Sequence, residues 1–257
     1  MEKRELVEKL KAYLNCPCQY FPPMDDPSPI MAAYQEARRR VGKAKRGLFF
    51  QRKSQPESFL PMLIAVEDTL YDALTWESPE DREKNRQKLL AEPVRDGGEY
   101  FAQLMARHKE DYGEEGWDWP SEDTIGEMEG GGAIDRFLGI SQYRGGTIPL
   151  LLAEIPVKSP WEVFAYLPFG GWNECPACGE QMIAAKYWYG KYGAVPAVMT
   201  ADILEYDLPA PVPSGEAMDL AMEQYAFCGD IVDQGCGTVG ALADTLAQST
   251  KWYFWWD

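Results

Sequence analysis

"FLPMLIAVED", residues 59–68, is the stretch on which the fold turns. From Leu60 to Val66 it is apolar without alternation and too short for an ordinary helix, which is the pattern of a strand buried on both faces. Upstream, Leu6, Val7, Leu10, Tyr13 and Leu14 recur at a period near 3.6 and predict a first helix, stopped by the prolines of "NCPCQYFPP". A second helix opens at Ser28–Pro29, carries Ile30, Ala33, Tyr34, Ala37 and Val41 inward, and meets Gly42, which suits its end. Downstream, "SPED" at Ser78 and "DGGE" at Asp96 have the form of capping boxes and predict two more helices.

From Thr147 the pattern is regular. "TIPLLLAEIPV" and "WEVFAYLPF" read as two strands of a hairpin with Pro160 in its turn. A helix over about Glu180–Tyr192 ends at Gly193, and "AVPAVMTADILEY" is the next strand. "SGEAMDLAMEQYAFC" is a helix capped by Ser214, with Ala217, Leu220, Ala221, Tyr225 and Cys228 on one face. Thr238 caps a last helix, and "KWYFWWD" closes as an aromatic strand. Strands separated by helices predict an α/β or α+β layered domain, with a mixed sheet flanked by helices. The expected organisation is a single domain over 1–257. It comprises an N-terminal helical region (1–46), a strand with helices (47–112), an acidic Gly/Trp-containing loop (113–146) and a core (147–257).

The 257 residues are 46% hydrophobic and 26% charged, as in a soluble globular protein. No run of eighteen apolar residues exists, and "MEKRELVEKLKAYL" is too charged for a signal peptide. A cytoplasmic location is expected, with the six cysteines as reduced thiols. The net charge of −16 repels phosphate backbones and membrane contact is not indicated, whereas a basic protein partner would be attracted. Locally "RRRVGKAKRG" inverts the sign, and Arg38, Arg39, Arg40, Lys43, Lys45 and Arg46 read as a solvated helix end. Residues 110–132 do the opposite. They hold Glu110, Asp111, Glu114, Glu115, Asp118, Glu122, Asp123, Glu127 and Glu129, with Trp117, Trp119 and three consecutive glycines. This reads as a solvated insertion, or as a lid or partner-binding loop. No lysine follows the glycines as a phosphate-binding loop requires. The only histidine, His108, shares a helical face with Phe101, Leu104, Met105 and Tyr112, so packing is its expected role and a histidine metal cluster is excluded.

"GGWNECPACGEQM", residues 170–182, contains the CxxC of Cys175 and Cys178. A thiol ahead of a helix gains thiolate character from the helix dipole, which supports a redox reading. Glu174 and Glu180 oppose it. A zinc site needs further ligands from Cys16, Cys18, Cys228 or Cys236, whose spacings do not form a second CxxC. No cofactor is expected, zinc at Cys175 and Cys178 being the weak alternative.

"WEVFAYLPFGGWNECP", "EQM", "KYWYGKYGAVPAVMTADILEY", "EQYAFCGDIVDQGCGTVGALADTL" and "WYFWWD" together resemble the bacterial domain-of-unknown-function 4253 family. The resemblance is close over 147–257 and looser over about 28–75. It implies a layered α/β fold and no established activity. Trp172, Asn173, Glu174, Gln181, Tyr225, Asp230, Asp233 and Gln234 match the family pattern, while Cys178 is not part of it.

These residues lie at loop–helix junctions beside glycines and large aromatics, where α/β folds commonly place a ligand crevice. Glu174, Asp230 and Asp233 are the candidate catalytic or cation-binding carboxylates. Trp172, Asn173, Gln181, Tyr225 and Gln234 are the candidate ligand-binding residues. The alternative is structural: Asn173 and Asp233 cap helices, Asp230 ends a turn, and Trp252, Trp255 and Trp256 pack the sheet. The leading expectation for function is a binding protein of the immunity or antitoxin kind that occupies a basic partner. The rival is an enzyme with a carboxylate-centred crevice for a small polar substrate.

Overall fold

The computed structural model describes residues 3–45, 58–142 and 145–257. In chain order its elements are α1 (Lys3–Leu14), β1 (Cys18–Phe21), α2 (Ser28–Lys45), β2 (Leu60–Ala65), α3 (Asp68–Leu74), α4 (Pro79–Ala91), α5 (Gly97–Glu114) and α6 (Glu122–Ile125). They continue with β3 (Leu150–Ile155), α7 (Val163–Tyr166), α8 (Cys178–Tyr192), β4 (Val195–Met199), β5 (Ile203–Asp207), α9 (Ser214–Phe227), α10 (Val239–Gln248) and β6 (Lys251–Trp255). The fold is mixed α/β. Six strands form one sheet in the order β1-β3-β2-β4-β5-β6. β3 runs antiparallel to both β1 and β2, and β2 runs parallel to β4, with Leu63 opposite Val198.

Every residue of β2 is buried, as its unbroken apolar run predicts for an interior strand. The chain divides into two compact units. The first comprises Met1–Pro93, Leu138–Phe169 and Pro196–Leu204; the second comprises Val94–Phe137, Gly170–Val195 and Glu205–Asp257. In the first, Leu6, Val7 and Leu10 of α1 and Ile30, Tyr34 and Ala37 of α2 supply buried helix faces. Arg40 forks across Glu154 of β3, with Nη2–Oε1 at 2.6 Å and Nη1–Oε2 at 3.3 Å. In the second, the Trp188 indole of α8 is fully buried. It stacks on Phe254 at 5.5 Å and Phe101 at 5.3 Å, and meets Phe227, Trp252 and Tyr206 edge-on.

Helix starts follow the capping chemistry. Ser78 accepts from the Asp81 amide at 3.1 Å, Asp96 from Glu99 at 2.9 Å and Thr238 from Ala241 at 3.0 Å. Gly193 ends α8 with φ at 69°. Ser214, expected as a cap, is instead the first residue of α9; Pro213 precedes it and no side chain caps that end.

Three other expectations are corrected. "WEVFAYLPF" is not a strand, and there is no hairpin with β3: Pro160–Glu162 form a short 3-10 turn that leads into α7. Glu162 accepts from the amides of Lys158 (2.9 Å) and Ser159 (3.3 Å), so an S-P-x-E start outweighs the β-propensity of the aromatic and branched residues behind it. "AVPAVMTADILEY" is two strands. The Thr200 hydroxyl accepts from Ile203 at 2.9 Å and Glu67 accepts from Ala201 at 2.6 Å, which fixes a turn between β4 and β5. α2 continues past Gly42 to Lys45, since a glycine weakens a helix interior without ending it. β1, hidden between prolines, pairs Cys18–Phe21 with Leu150–Ala153. Of the basic stretch, Arg39 pairs with Glu36 and Arg40 with Glu154, while Arg46 lies outside the described residues.

Trp188→Ala removes the ring on which this aromatic core is arranged. It should cost about 3–5 kcal/mol in urea unfolding followed by far-UV circular dichroism.

Candidate functional site

The turn before α8 explains why its sequence is so specific. Gly170 and Gly171 take φ of 90° and 81°, and Asn173 is left-handed at 46°, a region that asparagine tolerates better than most residues. A Cβ on Gly170 would lie 1.9 Å from the Pro176 carbonyl oxygen. The loop closes through Gly171 N–H to Cys175 O (2.9 Å) and Cys175 N–H to Trp172 O (3.0 Å). Trp172 is half-buried, and Asn173 and Glu174 are exposed. Gln181 is fully buried behind the turn, donating to Pro176 O at 3.3 Å and Cys175 Sγ at 3.6 Å.

The second stretch, Asp230–Gln234, begins in a loop and enters a π-helical turn over Ile231–Cys236. Asp230 accepts from Gln234 Nε2 at 2.7 Å and from the Asp257 amide at 3.0 Å, and Asn173 donates to the Asp257 carbonyl oxygen. Asn173 and Asp230 are therefore fastened to the backbone of Asp257, with Gln234 bonded to Asp230, rather than arranged around an open point. Neither Asn173 nor Asp233 is a helix cap: Ala177 precedes α8 and Thr238 caps α10. Trp252 and Trp256 are buried, and Trp255 is half-buried.

Asp233 is exposed and accepts from the Tyr225 hydroxyl at 3.0 Å. Burial and the Asp233 carboxylate together keep the Tyr225 phenol protonated well above its ordinary range. Tyr225 stacks on Trp119 (5.3 Å), and Trp119 on His108 (4.7 Å), whose Nε2 is 2.9 Å from the Ala226 carbonyl. Tyr112, 41% exposed, has its phenol raised by burial and then by Asp233, Glu174 and Glu115. The charges of Glu174 and Asp233 thus bear on Tyr112 of the acidic 110–129 segment.

The segment is fastened, not loose. α5 continues into it as far as Glu114, Ser121 caps α6, and Trp119 is 7% exposed within the stack. Gly131 N–H donates to Asp244 at 2.9 Å, and Gly240 of α10 lies so close that a Cβ would be 2.0 Å from Glu127 O. All nine of its carboxylate residues are exposed, with Trp117 at 69%. Sequence reasoning missed Trp119, Tyr112 and Asp257 as parts of the site. Trp119 lies in a charged run without helical period, so nothing in its surroundings signals burial.

Cys175 lies ahead of α8 in the interior, and Cys178, not Cys175, opens the helix. Burial pushes the Cys175 thiol well up and that of Cys228 up to about 12. All six cysteines are free thiols. Among the described residues no three His, Cys, Asp or Glu side chains are arranged to hold a metal ion.

The GGWNECP turn, the Asp230–Gln234 turn and the closing aromatic strand occur together. Residues 151–257 match the family model of a domain of unknown function, DUF4253. The match covers the C-terminal part of the chain, including both turns, and leaves residues 28–75 and the acidic segment outside it. No curated protein and no solved structure matches the chain. Among the described residues no helix is long and apolar enough to cross a membrane.

Two outcomes follow from the DUF4253 part and its attachment. In native protein at about pH 8, iodoacetamide should leave Cys175 and Cys228 unmodified and label them after urea unfolding, because both thiols stay protonated. The stability they contribute is complete below the free-thiol value of about 8.5 and declines as pH rises towards their raised values. Gly240→Ala should release the 126–132 backbone, read as faster amide hydrogen exchange there with little change in β6.

Proposed function

We propose that the protein is a binding protein of the immunity or antitoxin kind, which occupies a basic protein partner with its acidic face. The observation that carries this reading is the surface of the 110–129 segment. Nine exposed carboxylates occur there, no lysine or arginine falls between 110 and 132, and Trp117 projects among them. Glu174 and Asp233 of the DUF4253 part extend the same negative field. Charges at a rim steer association and an exposed tryptophan supplies the apolar anchor, a division of labour common in protein interfaces. The −16 net charge favours such a partner over nucleic acid. Free thiols accord with a bacterial cytoplasm.

An enzymatic reading retains one observation in its favour, the Tyr225–Asp233 hydrogen bond beside Trp119, which offers a protonated phenol and a carboxylate to a small polar substrate. Asp230, Asn173 and Gln234 are already engaged at Asp257 and its neighbours. The binding reading therefore uses more of what the surface presents.

The immobilised protein and its Glu114→Gln/Glu115→Gln/Trp117→Ala/Asp118→Asn variant should be compared in lysate of the source cell at moderate salt. A basic protein should be retained by the native chain, about tenfold less by the variant, and less still as salt rises. Retention of no protein, or equal retention by both, would remove the support for this function.

A further inference from the structure

Outside the DUF4253 part, Cys16 and Cys18 bring two sulfurs together at the edge of the sheet. Asn15, left-handed at φ 45°, ends α1, and the chain turns through Pro17 into β1. The Glu154 amide of β3 donates to Pro17 O at 2.9 Å, and Cys18 opens the strand opposite Ala153. Held this way, the two Sγ atoms are 3.9 Å apart and both residues are half-buried, open to a small reagent. Neither belongs to any site described above.

The charged groups around the pair differ in effect. Cys16 and Cys18 share one hydrogen bond, in which either sulfur can be the donor; it lowers the Cys18 thiol, burial opposes this, and the Lys11 ammonium of α1 adds to the lowering. The same hydrogen bond and burial push Cys16 up. The Glu154 amide favours the Cys16 thiolate, while its carboxylate disfavours both thiolates but is held by Arg40 of α2; Lys11 is bonded to Glu8. One hydrogen bond thus links the two sulfurs, and Lys11 favours Cys18 as the nucleophile.

We propose that Cys16 and Cys18 are a thiol–disulfide exchange site whose co-reactant is a small-molecule disulfide. The Cys18 thiolate attacks one sulfur of the disulfide RSSR, forming Cys18–S–S–R and releasing RS⁻. Cys16 then gives its proton to that thiolate, and its sulfur attacks Cys18 Sγ, forming the Cys16–Cys18 bond and expelling the second RS⁻. The dithiol loses two electrons, and RSSR gains them as RSH and RS⁻. Closure from 3.9 Å to a bond of about 2.05 Å needs side-chain rotation. It also makes a tight ring across one residue, so the bridge is readily reduced and serves exchange rather than scaffolding. Because Cys18 is the first paired residue of an edge strand, its rotation perturbs the β1 end at Ala153.

The full-length reduced protein is treated with glutathione disulfide near neutral pH, acid-quenched and digested with trypsin. The fragment 12–38, which holds these two cysteines and no other, should be lighter by two hydrogens and should recover on adding dithiothreitol. Cys16→Ser should halt as a glutathione adduct on Cys18, while Cys18→Ser should form its adduct on Cys16 about tenfold more slowly. If fragment 12–38 keeps two free thiols while exposed Cys236 gains the adduct, or if both single variants react at the same rate, the exchange site does not exist.

Discussion

The second unit depends on giving the Trp188 indole an apolar environment on all sides. Phe101 and Phe254 cover its faces, and Phe227, Trp252 and Tyr206 meet it edge-on, so α5, α9, β5 and β6 are positioned by one ring. Its only polar atom is not abandoned, because Nε1 reaches Glu223 Oε2 at 3.4 Å. Glu223 is itself buried and accepts from Tyr187 at 2.8 Å, with Lys191 at 3.7 Å. A buried carboxylate is tolerable only with partners of this kind. The aromatic density of the C-terminal sequence is therefore a packing requirement before it is anything else.

That requirement reaches the turn ahead of α8. For Trp188 to face inward, α8 has to begin where it does, directly after a backbone that folds back on Pro176. Gly170 provides the space and Asn173 the left-handed residue. GGWNECP then serves architecture and surface at once, with Gly170 and Cys175 on the packed side and Asn173 and Glu174 facing out. The signature residues do not collapse into one crevice. Asn173 and Asp230 tie down the Asp257 backbone and Gln234 holds Asp230, whereas Asp233 and Glu174 contribute to a negative surface.

Much of this was legible in the sequence, and the exceptions have physical causes. β2, β3 and β6, the capped starts at Ser78, Asp96 and Thr238, and the Gly193 stop were readable because each rests on a local rule. The error at Trp161–Phe169 arose where two local rules compete, a capping pattern against β-propensity, and the cap prevailed. β1 escaped because its pairing partner lies far along the chain and its own residues carry no period. The family pattern named candidate residues but not their geometry. Trp119 was invisible for the same reason as β1: its burial is conferred by His108 and Tyr225, which no neighbouring residue announces.

For the binding function proposed above, the close backbone approach of Glu127 to Gly240 has a consequence. A surface that must first be immobilised loses part of its affinity to the entropy of ordering, at about 0.5–1.5 kcal/mol for each side chain frozen. Here the main chain beneath the carboxylates is already held by α10, by the α6 cap and by the Trp119 stack, so the backbone share of that loss falls on folding rather than on association. An acidic strip of this kind is preorganised. It can trade a small contact area for a fast and selective encounter.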